Sequence, residues 1–353
     1  MALPTTEVMN TEQYIKAFTE KAETSGYSSE IIQKCLAYAV PLLDKNLPVI
    51  YNLSHLSALV GYNTNYLKRA VFFTKFFYKK YRITKASGGF RIINEPLPSL
   101  KDVQVWILGN LLNKVVVSRF AKAYIKGQNL KQNLVFHKNQ RFVVSLDIEN
   151  FFTSIKRRSV EEIFSSLGYS AMISNFLGKL CCLDDCLPQG ASTSPYLSNL
   201  YLLNFDEIIG EYCLNNHIRY SRYADDMTFS GNDINLNELL TTVKLNLTQL
   251  GLSLNNDKTK VMRSDQRQIV TGIIVNDKIQ VPRIKRKEIR QEVYYIKTKG
   301  LYEHLRFIES KKANYLDHLL GKINFVLQIN PTDKEFISYR IYVRSLLLTS
   351  DGE

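Results

Sequence analysis

The sequence is poor in the residues that staple or anchor a chain. Among 353 residues it has five cysteines, at positions 35, 181, 182, 186 and 213. The number is odd, no Cys-x-x-Cys pair occurs, and Cys181-Cys182-Leu183-Asp184-Asp185-Cys186 lacks the spacing of a zinc site. A disulfide framework and a structural zinc are therefore not expected; reduced thiols in a cytoplasmic protein are. No apolar stretch approaches the ~20 residues that span a bilayer. Residues 1–10 show no basic segment leading into an apolar run, so neither a membrane partner nor a signal peptide is expected. Internal repeats and low-complexity stretches are missing too. Acid is the scarcer charge: 33 Asp+Glu stand against 46 Lys+Arg, a formal +13. A chain this basic usually serves a polyanion, nucleic acid first. With 45% hydrophobic residues it is globular rather than disordered, and long enough for two or three domains.

Within that basic chain three carboxylates stand out. Tyr223-Ala224-Asp225-Asp226 joins residues 219–223 to 227–231, two alternating runs rich in β-branched or aromatic residues. They read as strands, which puts the acidic pair on a hairpin turn. Taken alone, an Asp-Asp turn is most often solvated. Adjacent carboxylates repel unless a cation lies between them, however, and Mg²⁺ prefers carboxylates plus substrate phosphates. A third carboxylate, Asp147, ends the apolar strand pattern of residues 141–146. Asp184-Asp185 has no apolar strand leading into it and is expected in solvent.

The remaining pattern is helical with one further hairpin. Residues 11–43 read as one or two amphipathic helices, and residues 53–77 as a packed helical pair broken at Gly61. Residues 81–85 and 90–94 flank Ala86-Ser87-Gly88-Gly89, a hairpin signal. The chain's one tryptophan, Trp106, falls in a helix over residues 98–112. Pro195 opens a helix, and Gly251 ends one over residues 236–250. Residues 283–312 hold ten Lys or Arg and four acids. With Ile284, Ile289, Val293 and Ile296 at helical spacing, they read as one basic amphipathic helix.

Strand–Asp147–Phe151-Phe152, then Leu187-Pro188-Gln189-Gly190, then Tyr-Ala-Asp-Asp is an ordered set that resembles the palm of a reverse transcriptase. The resemblance extends over about residues 80–330. It implies an α+β right-hand polymerase: an N-terminal helical segment (1–50), fingers (51–140), a palm with an antiparallel sheet (141–276) and a helical thumb (277–353). It implies that Asp147, Asp225, Asp226 and the backbone carbonyl of Ile148 bind two Mg²⁺ ions, with Mn²⁺ as a substitute. Arg91, and next Lys85, would grip the triphosphate of a dNTP, and Lys258 would lie near it. Phe152 would exclude a 2′-OH. Gln189 would bond the nascent base pair, with Gly190 allowing close approach. Lys122, Lys126 and Lys131, and in the thumb Arg283, Lys285, Arg286, Lys287 and Arg290, would hold nucleic acid. Asn133 and His137 match the Asn-Ala-x-x-His of retron enzymes, although Leu134 departs from the alanine; His137 is read as a satisfied core histidine. Val270-Thr271-Gly272 is a second retron mark. The retron resemblance implies a cognate structured RNA as partner, 2′-OH priming, a branched RNA–DNA product (msDNA), antiphage defence and a separate effector protein. Two rival readings are another defence-type bacterial reverse transcriptase and a non-catalytic RNA-binding scaffold.

Overall fold

In the computed structural model, residues 10–84, 88–128, 130–309 and 314–350 are described. They form two compact units, each assembled from separate stretches of chain.

The first unit comprises residues 1–119, 149–207 and 248–252. Helix Thr11–Thr24 starts at a capping box, in which Asn10 and Gln13 satisfy each other's backbone N–H groups. Helices Leu53–Val60 and Thr64–Phe72 form the helical pair, and Gly61 caps the first in the left-handed region at φ 76°. Strands β1 (Tyr78–Thr84) and β2 (Phe90–Pro96) pair antiparallel from Tyr78↔Pro96 to Thr84↔Phe90. Lys85 lies outside the described residues. The core sits among helices Pro98–Asn110, Arg157–Leu167, Ala171–Cys181 and Ser194–Tyr201, which bury Ile107, Phe164, Leu177 and Leu197 completely. The five cysteines are free thiols, and Cys181 and Cys182 are buried. Asp184 and Asp185 form an exposed turn at φ 48° and 63°.

The second unit comprises residues 120–148, 208–247 and 253–353. Its sheet uses β3 (Phe142–Asp147), β4 (Arg219–Tyr223), β5 (Asp226–Gly231) and β6 (Lys260–Arg263) in the order β4-β5-β3-β6, antiparallel throughout. Strand β3 is central and buries Val143, Val144 and Leu146, as its apolar run predicts. A small hairpin follows, β7 (Ile269–Val270) with β8 (Ile273–Ile274). Its turn residues, Thr271 and Gly272, both have positive φ, as a two-residue turn of the primed type requires. One apolar cluster joins Val143, Met262 and Val270 of these strands to Ile289, Leu319, Ile323 and Phe336 of helices Arg283–Lys299, Tyr315–Ile329 and Lys334–Ser350.

The basic segment is not one helix. It divides at Gly300, whose φ is 81°, into Arg283–Lys299 and Leu301–Phe307. A glycine holds this conformation without a side-chain clash, so the helix ends there. Lys311 and Lys312 of the same run lie outside the described residues.

Candidate active site

The acidic cluster follows from strand register. In the β3–β5 pair, Asp147 and Asp226 are direct cross-strand partners. Like charges directly opposite each other are destabilising, so the sheet tolerates a cost there. The β4–β5 turn is Ala224-Asp225, closed by Tyr223↔Asp226, with Ala224 at φ 59°. Arg222 is fully buried in β4, and its Nη1 donates to the Ala224 carbonyl at 2.9 Å. A buried guanidinium thus pins the turn that presents Asp225. The Ile148 N–H donates to the Asp225 carbonyl at 3.2 Å, and the Asn255 N–H donates to the Asp147 carbonyl at 2.8 Å. The three acids are therefore fixed to the end of the sheet by backbone bonds.

Electrostatics record their proximity. The Asp226 carboxyl is pushed up to about 6, first by burial and then by Asp225 and Asp147. Lys258 answers part of the charge: its Nζ donates to both Asp147 carboxylate oxygens, at 3.1 and 2.9 Å. That contact also raises the lysine's pKa, keeping the ammonium charged. Among the described residues no three acidic, histidine or cysteine side chains converge tightly enough to enclose a metal ion. In kind, though, clustered carboxylate oxygens suit a hard divalent cation, and the Lys258 ammonium supplies a positive charge at the same carboxylate.

Residues 120–122 run beside β4: the Lys122 N–H donates to the Arg222 carbonyl (2.7 Å) and the Arg222 N–H to the Phe120 carbonyl (2.8 Å). Lys122 is half-buried, and burial lowers its pKa. Lys126 is exposed and Lys131 half-buried. His137 is fully buried; its Nδ1 meets the Ser230 hydroxyl at 2.8 Å and its Nε2 the Ser221 hydroxyl at 2.7 Å, tying β5 to β4. Asn133 is buried, and neither end of its carboxamide has a hydrogen-bond partner.

The first unit gathers a different set. The Asn94 N–H, on the strand that carries Arg91, donates to the Gln189 carbonyl at 2.7 Å. Gly190 sits at φ 123°, and a Cβ there would lie 2.5 Å from the Asn94 carbonyl oxygen. The Pro-Gln-Gly loop is thus laid directly on β2. Arg91 is exposed and Gln189 half-buried. Of the two phenylalanines after Asp147, Phe151 is buried, and Phe152 is half-buried with its ring 5.4 Å from its neighbour's.

Two of the thumb residues, Arg286 and Arg290, have their guanidinium groups paired within the unit. The Arg286 side chain is 9% exposed; it pairs with Asp333 at 2.6 Å and lies over the Phe336 ring at 4.6 Å. Arg290 grips Glu335 with two nitrogens, the Nη2 contact being 2.7 Å. Their charge is neutralised within the unit, and Arg283, Lys285 and Lys287 remain exposed. Two features went unseen in sequence, the Lys258–Asp147 contact and the buried Arg222. The second had a signal: Arg222 stands two residues from Tyr220, on the same face of the strand run that leads into the turn.

Comparison with known proteins bears on the same residues. Residues 83–316 match the reverse transcriptase (RNA-dependent DNA polymerase) family. Retron Ec86 reverse transcriptase of Escherichia coli is 30% identical over 306 residues, 84% of this chain and 91% of that protein. Retron Se72 reverse transcriptase of Salmonella heidelberg is 32% identical over 271 residues, 72% of this chain and 70% of that one. Among solved structures, telomerase from Candida albicans aligns with a TM-score of 0.45 at 12% identity, covering 76% of this chain; this chain spans about half the telomerase's length, 55%. The chain belongs to the reverse transcriptase family, as an RNA-directed DNA polymerase of the retron type with the right-hand polymerase fold.

Proposed function

We propose that this enzyme is the polymerase of a cytoplasmic retron, copying part of a cognate structured non-coding RNA into branched RNA–DNA (msDNA) from the 2′-OH of a guanosine in that RNA. The product serves antiphage defence together with a separate effector protein. The observation that carries the catalytic half of this reading is the pairing of Asp147 with Asp226 in register, Asp225 being held in the adjoining turn. The Asn133…His137 and Val270-Thr271-Gly272 marks support the retron half.

Asp147, Asp225, Asp226 and the Ile148 carbonyl would hold two Mg²⁺ ions, or Mn²⁺ in their place. When bound, such ions stabilise the attacking and leaving oxygens of in-line phosphoryl transfer. The chain's own groups do the rest. Arg91 binds triphosphate oxygens with its planar fork, seconded by Lys85. Phe152 sits under the sugar and excludes a 2′-OH. Gln189 bonds the nascent base pair. Lys258 holds a proton on a flexible stem and delivers it to the departing pyrophosphate.

Asp225→Asn tests the catalytic half. It keeps the shape and removes one charge, so primer extension should fall by at least ~10²–10³-fold, the drop typical of deleting one transition-state charge interaction. RNA binding by gel shift should persist. Retained extension would sink the assignment. For the retron half, the gene co-expressed with its upstream flank should yield short single-stranded DNA that keeps a ribonucleotide stub after RNase treatment. Debranching enzyme should release that stub. DNA without a 2′–5′ linkage would leave a polymerase but not a retron.

A further inference from the structure

The corner where helix Arg283–Lys299 meets helix Leu301–Phe307 holds a cavity of about 240 Å³ lined by Tyr295, Lys299, Glu303, His304 and Phe307. None of these five has a part in the polymerase reading. Two of the rings face the same space: the Tyr295 and Phe307 centroids are 6.4 Å apart, and Tyr295 stacks on His304 at 6.2 Å with 17° between planes. Phe307 is 81% exposed, an unusual state for a phenylalanine, and Tyr302 on the same short helix is 77% exposed. Aromatic rings held at a wet surface beside a lysine form the kind of platform on which unpaired bases stack.

A second observation concerns the floor. His304 is 4% exposed. Its Nε2 lies 2.9 Å from the Tyr315 hydroxyl, and that hydroxyl donates to Glu292 Oε2 at 2.8 Å. The other Glu292 oxygen holds Lys322 at 2.7 Å. Since the Tyr315 proton goes to Glu292, the tyrosine oxygen must accept from His304, which places the imidazole proton on Nε2. Nδ1 is left as a bare acceptor, and it is buried without a hydrogen-bond partner. Burial also lowers the histidine's pKa, which keeps the ring neutral. An acceptor left unmet in a native fold calls for an explanation. The same imidazole lines an aromatic cleft that also carries a second acceptor, Glu303, and one cation, Lys299.

We propose that this corner captures one unstacked base of single-stranded RNA, stacked on Phe307 and Tyr295, with its N–H edge turned toward His304 and Glu303 and its phosphate toward Lys299. The proposal rests on the reading that the enzyme handles RNA. It adds a base-stacking site of its own, separate from the phosphate contacts of Arg283, Lys285 and Lys287. Stacking has no charge, so the Phe307 ring should contribute affinity without contributing salt dependence, which in this site falls to Lys299.

The test uses the full-length protein and a fluorescein-labelled (rA)₁₂ in anisotropy titrations over a salt series. Phe307→Ala removes an exposed ring that the fold does not need, and should weaken binding by roughly 5- to 150-fold, the range for one stacked base. The slope of log K against log salt should stay as in the wild type. Phe307→Trp should restore affinity, and Phe307→Leu, which keeps apolar area without a π face, should not. A 4-thiouridine in the middle of the oligonucleotide should photo-crosslink to the peptide holding Tyr295 or Phe307. Unchanged affinity in Phe307→Ala, rescue by Leu, or crosslinks confined to other peptides would each overturn the site. If the wild type extends primers on RNA but ignores (rA)₁₂, the pocket fails and the polymerase stands. If it neither binds RNA nor extends, the reading beneath the proposal fails with it.

Discussion

At Gly190 there is no room for a methyl group. A Cβ would sit 2.5 Å from a backbone carbonyl of β2 and would have to adopt φ 123°. Gly190→Ala must therefore push the Pro-Gln-Gly loop off the strand that bears Arg91. We expect primer extension to fall at least tenfold and thermal stability to drop by on the order of 1–3 kcal/mol; wild-type extension by this variant would show that the loop's seat on β2 does not matter. His137 makes a different prediction. Burial, then Arg219 and Lys122, push its pKa down to about 3, against about 6.5 in an unfolded chain. The neutral ring belongs to the folded state, so its contribution is complete above pH ~6.5 and is lost as pH falls from there toward 3. His137→Leu should be less stable at pH 7, because Ser221 and Ser230 lose their partner. It should also show a flatter decline in denaturant stability between pH 6.5 and 4.5, and an unaltered decline would assign the titration to another group. Asp147 and the acidic turn were legible in sequence because strand periodicity and the turn are local. The cause of Gly190 was not: its constraint comes from a strand about a hundred positions earlier, and no local pattern encodes that approach.

Helix Arg283–Lys299 shows what a charge count hides. Its basic residues divide between two faces. Arg286 shares the face of Ile289, Val293 and Ile296, all buried, at spacings of three, seven and ten residues that the sequence displays. That face packs inward, so a guanidinium on it needs an internal acid, and Asp333 and Glu335 supply it. The partners could not be read in advance, because they come from a separate element more than forty residues downstream. Neutralising Arg283, Lys285 and Lys287 to Gln should lower the slope of log K against log salt by roughly 0.7–0.9 for each phosphate that is no longer neutralised, if duplex and single-strand coefficients carry over to an RNA–DNA hybrid. Arg286→Gln should leave that slope unchanged and lower the melting temperature, since it strands a nearly buried carboxylate. A reversed pattern would mean that the inward face is the one that meets nucleic acid.

Across the molecule, the sequence motifs marked a palm and a thumb, whereas packing joins them. Val143 and Met262 of the sheet share one core with Leu319, Ile323 and Phe336 of the C-terminal helices. Truncation after residue 276 should therefore leave an insoluble or molten product rather than a folded palm, judged by near-UV circular dichroism and gel filtration; a monodisperse product with native dichroism would refute the shared core. The N-terminal helices were legible as helices from their periodicity, but their role was not, since they carry no chemistry that a motif could mark. The segmental make-up of the units also sets a timetable for synthesis. The first unit takes residues as late as 248–252 and the second takes residues 120–148 as well as the C-terminal helices. Neither can close while the early part of the chain is all that has left the ribosome. Domains emerge at about 5–20 residues per second, so β3, with its apolar run, waits many seconds for β5 and β6. During that interval the nascent chain has an unpaired strand to shield, and chaperone dependence in the cell is the outcome to look for.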